Sequence, residues 1–135
     1  MKTNSIEQVV TFTAAPEEVY QLIMDSKKHA EFTGTKVLMS TEVNGGFNIF
    51  DGYCTGYNIE LIKGKKIVQA WRFKEDGWPD DHYSVCTFLF EPQGNSTKLT
   101  FIQTDVPEHK IEELSDGWKQ YYWEPMQRYL DNKPL

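Results

Sequence analysis

The stretch Ile111–Leu130, reading IEELSDGWKQYYWEPMQRYL, decides the fold. Ile111, Leu114, Trp118, Tyr122, Met126 and Tyr129 recur at steps of three or four, which places them on one face of a helix. Tyr121, Trp123 and Leu130 are expected to widen that face. The other side carries Glu112, Glu113, Asp116, Lys119, Gln120, Glu124, Gln127, Arg128 and Asp131, as a solvent-facing side should. Three of the four large side chains in Trp118–Trp123 each gain roughly 1.5–3 kcal/mol when buried against a sheet. Pro125 interrupts the pattern, removes one helical hydrogen bond and costs on the order of 3 kcal/mol. Ser115–Gly117 is a second point where the helix can break. A helix with such defects needs a well-packed surface to hold it, and the upstream chain is read as that surface.

Working outward, Ser5–Phe12 is a first strand with Ile6, Val10 and Phe12 on one face. Pro16 opens a helix, Glu17 and Glu18 suit its positive end, and Val19, Leu22 and Ile23 form its apolar side. Asp25 or Ser26 caps a second short helix, Lys27–Phe32, which Gly34 ends. From Lys36 the period becomes two. Lys36–Thr41 and Phe47–Phe50 flank the turn Asn44-Gly45-Gly46, and Tyr53–Ile62 follows Asp51-Gly52, with Tyr53, Tyr57, Ile59 and Leu61 on one face. Gly52 to Gly56 reads as turn and bulge. Lys63-Gly64-Lys65 turns into Lys66–Phe73, and Asp76–Asp81 forms a turn-rich tip. Tyr83–Glu91 then carries Cys86, Phe88 and Phe90 on one face, and Thr97–Thr104 carries Leu99, Phe101 and Gln103. The order is strand, two helices, further antiparallel strands, long helix. It predicts a single α+β domain over residues 1–135. A curved antiparallel sheet of about six to seven strands wraps the C-terminal helix in a helix-grip fold.

Composition excludes several function classes. The formal net charge is −6 and the one basic cluster, Lys63, Lys65 and Lys66, is a hairpin turn, so nucleic acid is not an expected partner. No run approaches the ~20 apolar residues of a membrane span, and MKTNSIEQ lacks the apolar segment of a secretory signal. Cys54 and Cys86 read as free buried thiols, and a cytoplasmic location is expected. His29, His82 and His109 are dispersed, with no metal-ligand spacing. No nucleophile elbow, phosphate loop or dinucleotide fingerprint is present, so neither catalysis nor a cofactor is expected. Aromatic residues, at 14%, are abundant and either fill a core or line a cavity.

Two groups of residues stand out. Gln103 shares the interior face with Leu99 and Phe101, and a buried amide needs partners. It satisfies the backbone or orients a ligand's polar group. Trp71, Phe88, Phe101, Trp118, Tyr122 and Met126 surround it as core or as cavity wall. The second group is the tip, where the four acidic residues Glu75, Asp76, Asp80 and Asp81 surround Trp78. That tryptophan either closes the end of the sheet or anchors a basic partner.

Several stretches together resemble the activator of heat-shock-protein-90 ATPase homologue family, within the START and birch-pollen-allergen-like superfamily. They are Ala15-Pro16-Glu17-Glu18-Val19-Tyr20, Gly45-Gly46-Phe47, Gly56 with Glu60-Leu61, and Lys66–Phe73. Trp78-Pro79, His82-Tyr83-Ser84, Thr104 with Val106-Pro107-Glu108, and Gly117-Trp118 with Tyr121-Tyr122 continue them. The resemblance spans nearly the whole chain and implies the helix-grip fold. It also implies a non-enzymatic role like that of the co-chaperones' C-terminal domain, which contacts the heat-shock-protein-90 chaperone. Those co-chaperones carry a further N-terminal chaperone-binding domain, for which 135 residues leave no room. The wider superfamily implies an alternative, a small apolar ligand held between sheet and helix.

Overall fold

A computed structural model describes residues 1–132; the last three residues of the expected 1–135 domain lie outside the described residues. Seven antiparallel strands form one sheet: β1 (Thr3–Phe12), β2 (Val37–Met39), β3 (Gly46–Ile49), β4 (Cys54–Ile62), β5 (Lys66–Phe73), β6 (Ser84–Gln93) and β7 (Ser96–Pro107). Their spatial order is β1-β7-β6-β5-β4-β3-β2. Neighbours from β2 to β7 are consecutive in sequence and join by hairpin connections, the longest being the tip between β5 and β6. Only β1 crosses, pairing with β7 through Ile6↔Gln103 and Phe12↔Thr97. The helices α1 (Pro16–Met24) and α2 (Ser26–Thr33) fill that crossing. The Asp25 carboxylate accepts from the Lys28 N–H at 3.0 Å, and Gly34 ends α2 at φ 73°, a left-handed conformation suited to glycine.

One face of the sheet is buried by period-two alternation. Ile67, Gln69, Trp71 and Phe73 of β5 lie beside Cys86, Phe88 and Phe90 of β6 and Leu99, Phe101 and Gln103 of β7, all buried. On that face lies the C-terminal segment: a 3₁₀ turn (Glu108–Lys110), α3 (Ile111–Trp118), a π-helical turn (Lys119–Trp123) and α4 (Glu124–Asp131). Trp118 packs on Phe101 at 4.4 Å and on Trp71 at 5.1 Å between ring centroids, and Met126 is wholly buried. This is the expected helix-grip architecture.

Four local expectations are corrected. The helix does not break at Ser115–Gly117, which stays α-helical; the irregularity is the π turn just before Pro125. Tyr121 does not widen the buried face and is 52% exposed. On β4 the buried positions are Cys54 and Asn58, while Tyr57 and Ile59 face outward; Tyr53, just ahead of the strand, is 37% exposed but packs its ring on Phe73 at 5.9 Å. A bulge between Asn58 and Glu60 resets the alternation before partly buried Leu61. Gly56 is neither turn nor bulge: it is paired inside β4 with Phe47 on one side and Trp71 on the other.

Candidate functional site

Beside the start of the C-terminal helix, sheet and helix part to leave a cleft of about 110 Å³. Its inner wall is made of the buried side chains Cys54, Trp71, Phe73, Trp118 and Tyr122. Phe50, Tyr53, Glu113 and Tyr121 form the mouth, which opens onto a wider depression of about 620 Å³ that also reaches Asp116 and Gln120. Gly117 borders both, and the missing side chain leaves the space open.

The structure divides the expected cavity residues. Trp71, Trp118 and Tyr122 line the cleft. Phe88, Phe101, Gln103 and Met126 are buried away from its lining. Gln103 is engaged at both polar atoms: its Oε1 accepts from the Trp118 indole at 2.8 Å, and its Nε2 donates to Ser84 Oγ at 2.9 Å. The Ser84 hydroxyl in turn donates to the Trp71 carbonyl at 3.1 Å. A second, parallel network was not evident from the sequence. Gln69 accepts from the Trp71 indole at 2.9 Å and donates to Asn58 Oδ1 at 2.9 Å. Asn58 in turn donates to the Ser40 and Glu42 carbonyls. Each buried amide thus fixes one cleft tryptophan, and a satisfied polar network of this kind locks rotamers. The signal was present as Gln69 in a run of apolar partners.

Charges gather near the mouth. Lys110 Nζ lies 3.3 Å from Glu75 Oε1 and 3.4 Å from Glu113 Oε2, with Lys110 and Glu75 largely shielded from solvent. Glu75 Oε1 makes no hydrogen bond of good geometry, so that contact is an ion pair and nothing more directional. Its other oxygen accepts from the Tyr53 hydroxyl. Burial, reinforced by that bond to Glu75, pushes the Tyr53 hydroxyl well up. Burial alone would lower Lys110, and the two carboxylates more than reverse it.

Of the tip residues, Asp76, Asp80 and Asp81 are exposed, whereas Trp78 is 7% exposed and packs on Phe73 at 4.9 Å. The Trp78 indole donates to the His82 carbonyl at 2.9 Å. The tip is tied to the C-terminal segment by Glu75–Lys110 and by His109 Nε2, which donates to the Gly77 carbonyl at 2.9 Å. Sequence reasoning also missed His29. It is fully buried; Nδ1 donates to the Ile23 carbonyl at 2.9 Å and Nε2 accepts from the Tyr122 hydroxyl at 2.8 Å. Burial lowers its pKa to about 4, against a smaller opposing effect of the Ile23 carbonyl, so the ring is neutral near pH 7. Burial pushes the Cys54 and Cys86 thiols up, which keeps them protonated. Among the described residues no three His, Cys, Asp or Glu side chains are grouped to hold a metal. No described helix is long and apolar enough to cross a membrane.

Comparison with known proteins shows the family and the fold. A family model described as "Activator of Hsp90 ATPase homolog 1-like protein" matches residues 13–131. The human protein named activator of 90 kDa heat shock protein ATPase homolog 1 is 31% identical over 114 residues, 84% of this chain and 33% of its own length. An uncharacterized protein of Schizosaccharomyces pombe is 30% identical over 126 residues, 93% of this chain and 37% of its own. The chain therefore spans about a third of the curated relatives it matches. Among solved structures, an HSP90 activator from Plasmodium falciparum superposes with a TM-score of 0.85 at 25% identity, covering 94% of this chain and 96% of that one. The Aha1 dimer from Colwellia psychrerythraea, at 16% identity and a TM-score of 0.79 over 96% of this chain and 97% of that one, shares the fold. With the family model matched over residues 13–131 of the 135, this chain belongs to the Activator of Hsp90 ATPase homolog 1-like family.

Proposed function

We propose that this domain is a non-enzymatic, cytoplasmic binding module that docks on the 90-kDa heat-shock chaperone. The observation that carries the reading is the near full-length match to a family described by that activity, at a TM-score of 0.85 to an HSP90 activator. The chemistry of the interior supports it: His29 is neutral with both ring nitrogens engaged, and both thiols are kept protonated. We assign the partner surface to the tip. Its exposed Asp76, Asp80 and Asp81 steer a basic patch, and Trp78 acts from beneath by holding the loop on Phe73. The test is a titration of labelled protein with the chaperone of the source organism. Binding that weakens with salt, and a slower association for the variant Asp76→Asn/Asp80→Asn/Asp81→Asn, are expected. No signal change at tens of micromolar chaperone would sink the proposal.

A second reading is favoured by one specific observation, the aromatic cleft of about 110 Å³ between helix and sheet. It has room for several water volumes or one small apolar group. On this reading the domain carries a small ligand there, with Trp71, Trp118 and Tyr122 as wall and Gln103 acting only by fixing Trp118.

A further inference from the structure

We infer that the cleft selects a small organic cation, an ammonium group on an apolar body, over neutral or anionic molecules of the same shape. The inference rests on the second reading above, that the cleft holds a ligand, and adds its chemical class.

Three features at the mouth converge on this class. First, aromatic rings dominate the lining, and their faces carry negative quadrupole charge that attracts a cation, more strongly once it leaves water. Second, every charged side chain lining the cleft and its outer depression is acidic: Glu113 in the first, Glu113 and Asp116 in the second. Lys110 approaches Glu113 but is shared with Glu75. Three carboxylates, Glu75, Glu113 and Asp116, against one ammonium leave this cluster two negative charges in excess. An anion meets repulsion there, and a neutral guest gains nothing from the carboxylates.

Third, the two aromatic jaws are held by unusual backbone. Phe50 and Asp51 sit at φ 55° and 54°, followed by Gly52 at 91°. A bulky residue in the left-handed region is a costly conformation that persists only where its surroundings enforce it. Across the cleft, the π turn presents Tyr121, whose ring meets Phe50 edge to face at 6.3 Å. A cationic head seated inside these jaws keeps Glu113 and Asp116 within reach of its charge while its apolar body contacts Trp71 and Trp118.

The experiment uses phenyltrimethylammonium, its neutral carbon isostere tert-butylbenzene, and benzoate, each titrated into the whole protein and followed by tryptophan fluorescence and chemical shifts. The expected result is a preference of about fivefold or more for the cation over the isostere, no binding of benzoate, and a preference that shrinks as salt rises. Glu113→Gln/Asp116→Asn should bring the cation's affinity down to that of the isostere; an undiminished preference in that variant overturns the inference. Gly117→Leu should fill the cleft and abolish both; survival of cation binding in that variant would place the site elsewhere and overturn the inference. Should Gly117→Leu fail to fold, shifts confined to the cleft residues of the unaltered protein serve the same purpose. Equal affinity for cation and isostere overturns the inference but leaves the cleft a ligand site. Binding of none of the three overturns the second reading as well.

Discussion

Replacing Gly56 and Gly117 with alanine should move stability in opposite directions. Gly56 lies inside β4, between Phe47 and Trp71 of the flanking strands. A Cβ there would sit 1.8 Å from the Ala70 carbonyl oxygen, 2.6 Å from Phe47 Cζ and 2.9 Å from the Ala70 carbonyl carbon. The first and last of these atoms are backbone of β5, so the strand itself must shift. Overpacking a core costs about 1–3 kcal/mol, and a clash with paired backbone belongs at the top of that range. Gly117 is different. Its first neighbour to an added Cβ is Tyr121 Cδ2 at 3.9 Å, an ordinary contact, and its backbone is α-helical. Alanine there gains about 0.5–1 kcal/mol of helix preference. For a domain of this size roughly 3–4 °C accompanies each kcal/mol. Gly56→Ala should therefore melt about 10 °C lower, and Gly117→Ala about 3 °C higher, by calorimetry with urea unfolding as a cross-check. A Gly56→Ala protein as stable as the parent would refute the β4–β5 register, and with it the wall of the cleft. A destabilised Gly117→Ala would refute the regular helix at its mouth.

Two further outcomes follow from buried charge. His29 binds a proton only below about pH 4 when folded but near its ordinary value of 6.5 when unfolded. The unfolded state thus holds more protons between those limits. The contribution, about 3 kcal/mol, is complete above pH 6.5, falls as pH drops towards 4 and is gone below it. Urea midpoints across that window should slope for the parent and flatten for His29→Gln; parallel slopes would remove His29 from the account. Lys110→Met leaves the shielded Glu75 carboxylate without its cation and should cost about 3 kcal/mol, whereas Lys110→Met/Glu75→Gln should recover most of the loss. A double-mutant cycle with no coupling would show that the tip is not held by this pair.

The architecture was legible because it depends on periodicity. Alternation in Lys66–Phe73 and Thr97–Thr104, and the three-to-four spacing from Leu114 to Met126, survive any error of a residue or two at the ends. Caps were legible for the same local reason: Asp25 and Gly34 act on their own neighbours. The cleft was not. Phe50, Tyr53 and Tyr121 become its jaws through a left-handed run, a turn and a π turn, none of which has a periodic signature. The Gln69–Asn58 network joins two strands through a register that a bulge displaces, so neither residue announces the other. Likewise Glu75 and Lys110 are separated by two strands and meet only once the sheet has formed.

Pro125 connects these layers. In a regular α-helix Trp123 would point about 140° away from Trp118. Here the two rings are stacked, 5.6 Å apart and 20° from parallel, which a turn of i to i+5 spacing permits. The hydrogen bonds record the switch. Lys119 N–H donates to the Asp116 carbonyl, and Glu124 N–H reaches back five residues to Lys119. Gln8 on the edge strand clamps the junction, donating to the Ser115 carbonyl at 3.0 Å and accepting from the Trp123 indole at 2.7 Å. In this register the N–H that proline lacks falls opposite Gln120, an exposed residue. The widened turn thus absorbs the proline, brings a second tryptophan onto Phe12 and Phe101, and leaves Tyr121 facing the cleft rather than the core. The feature that looks like a flaw in the helix is what shapes the site.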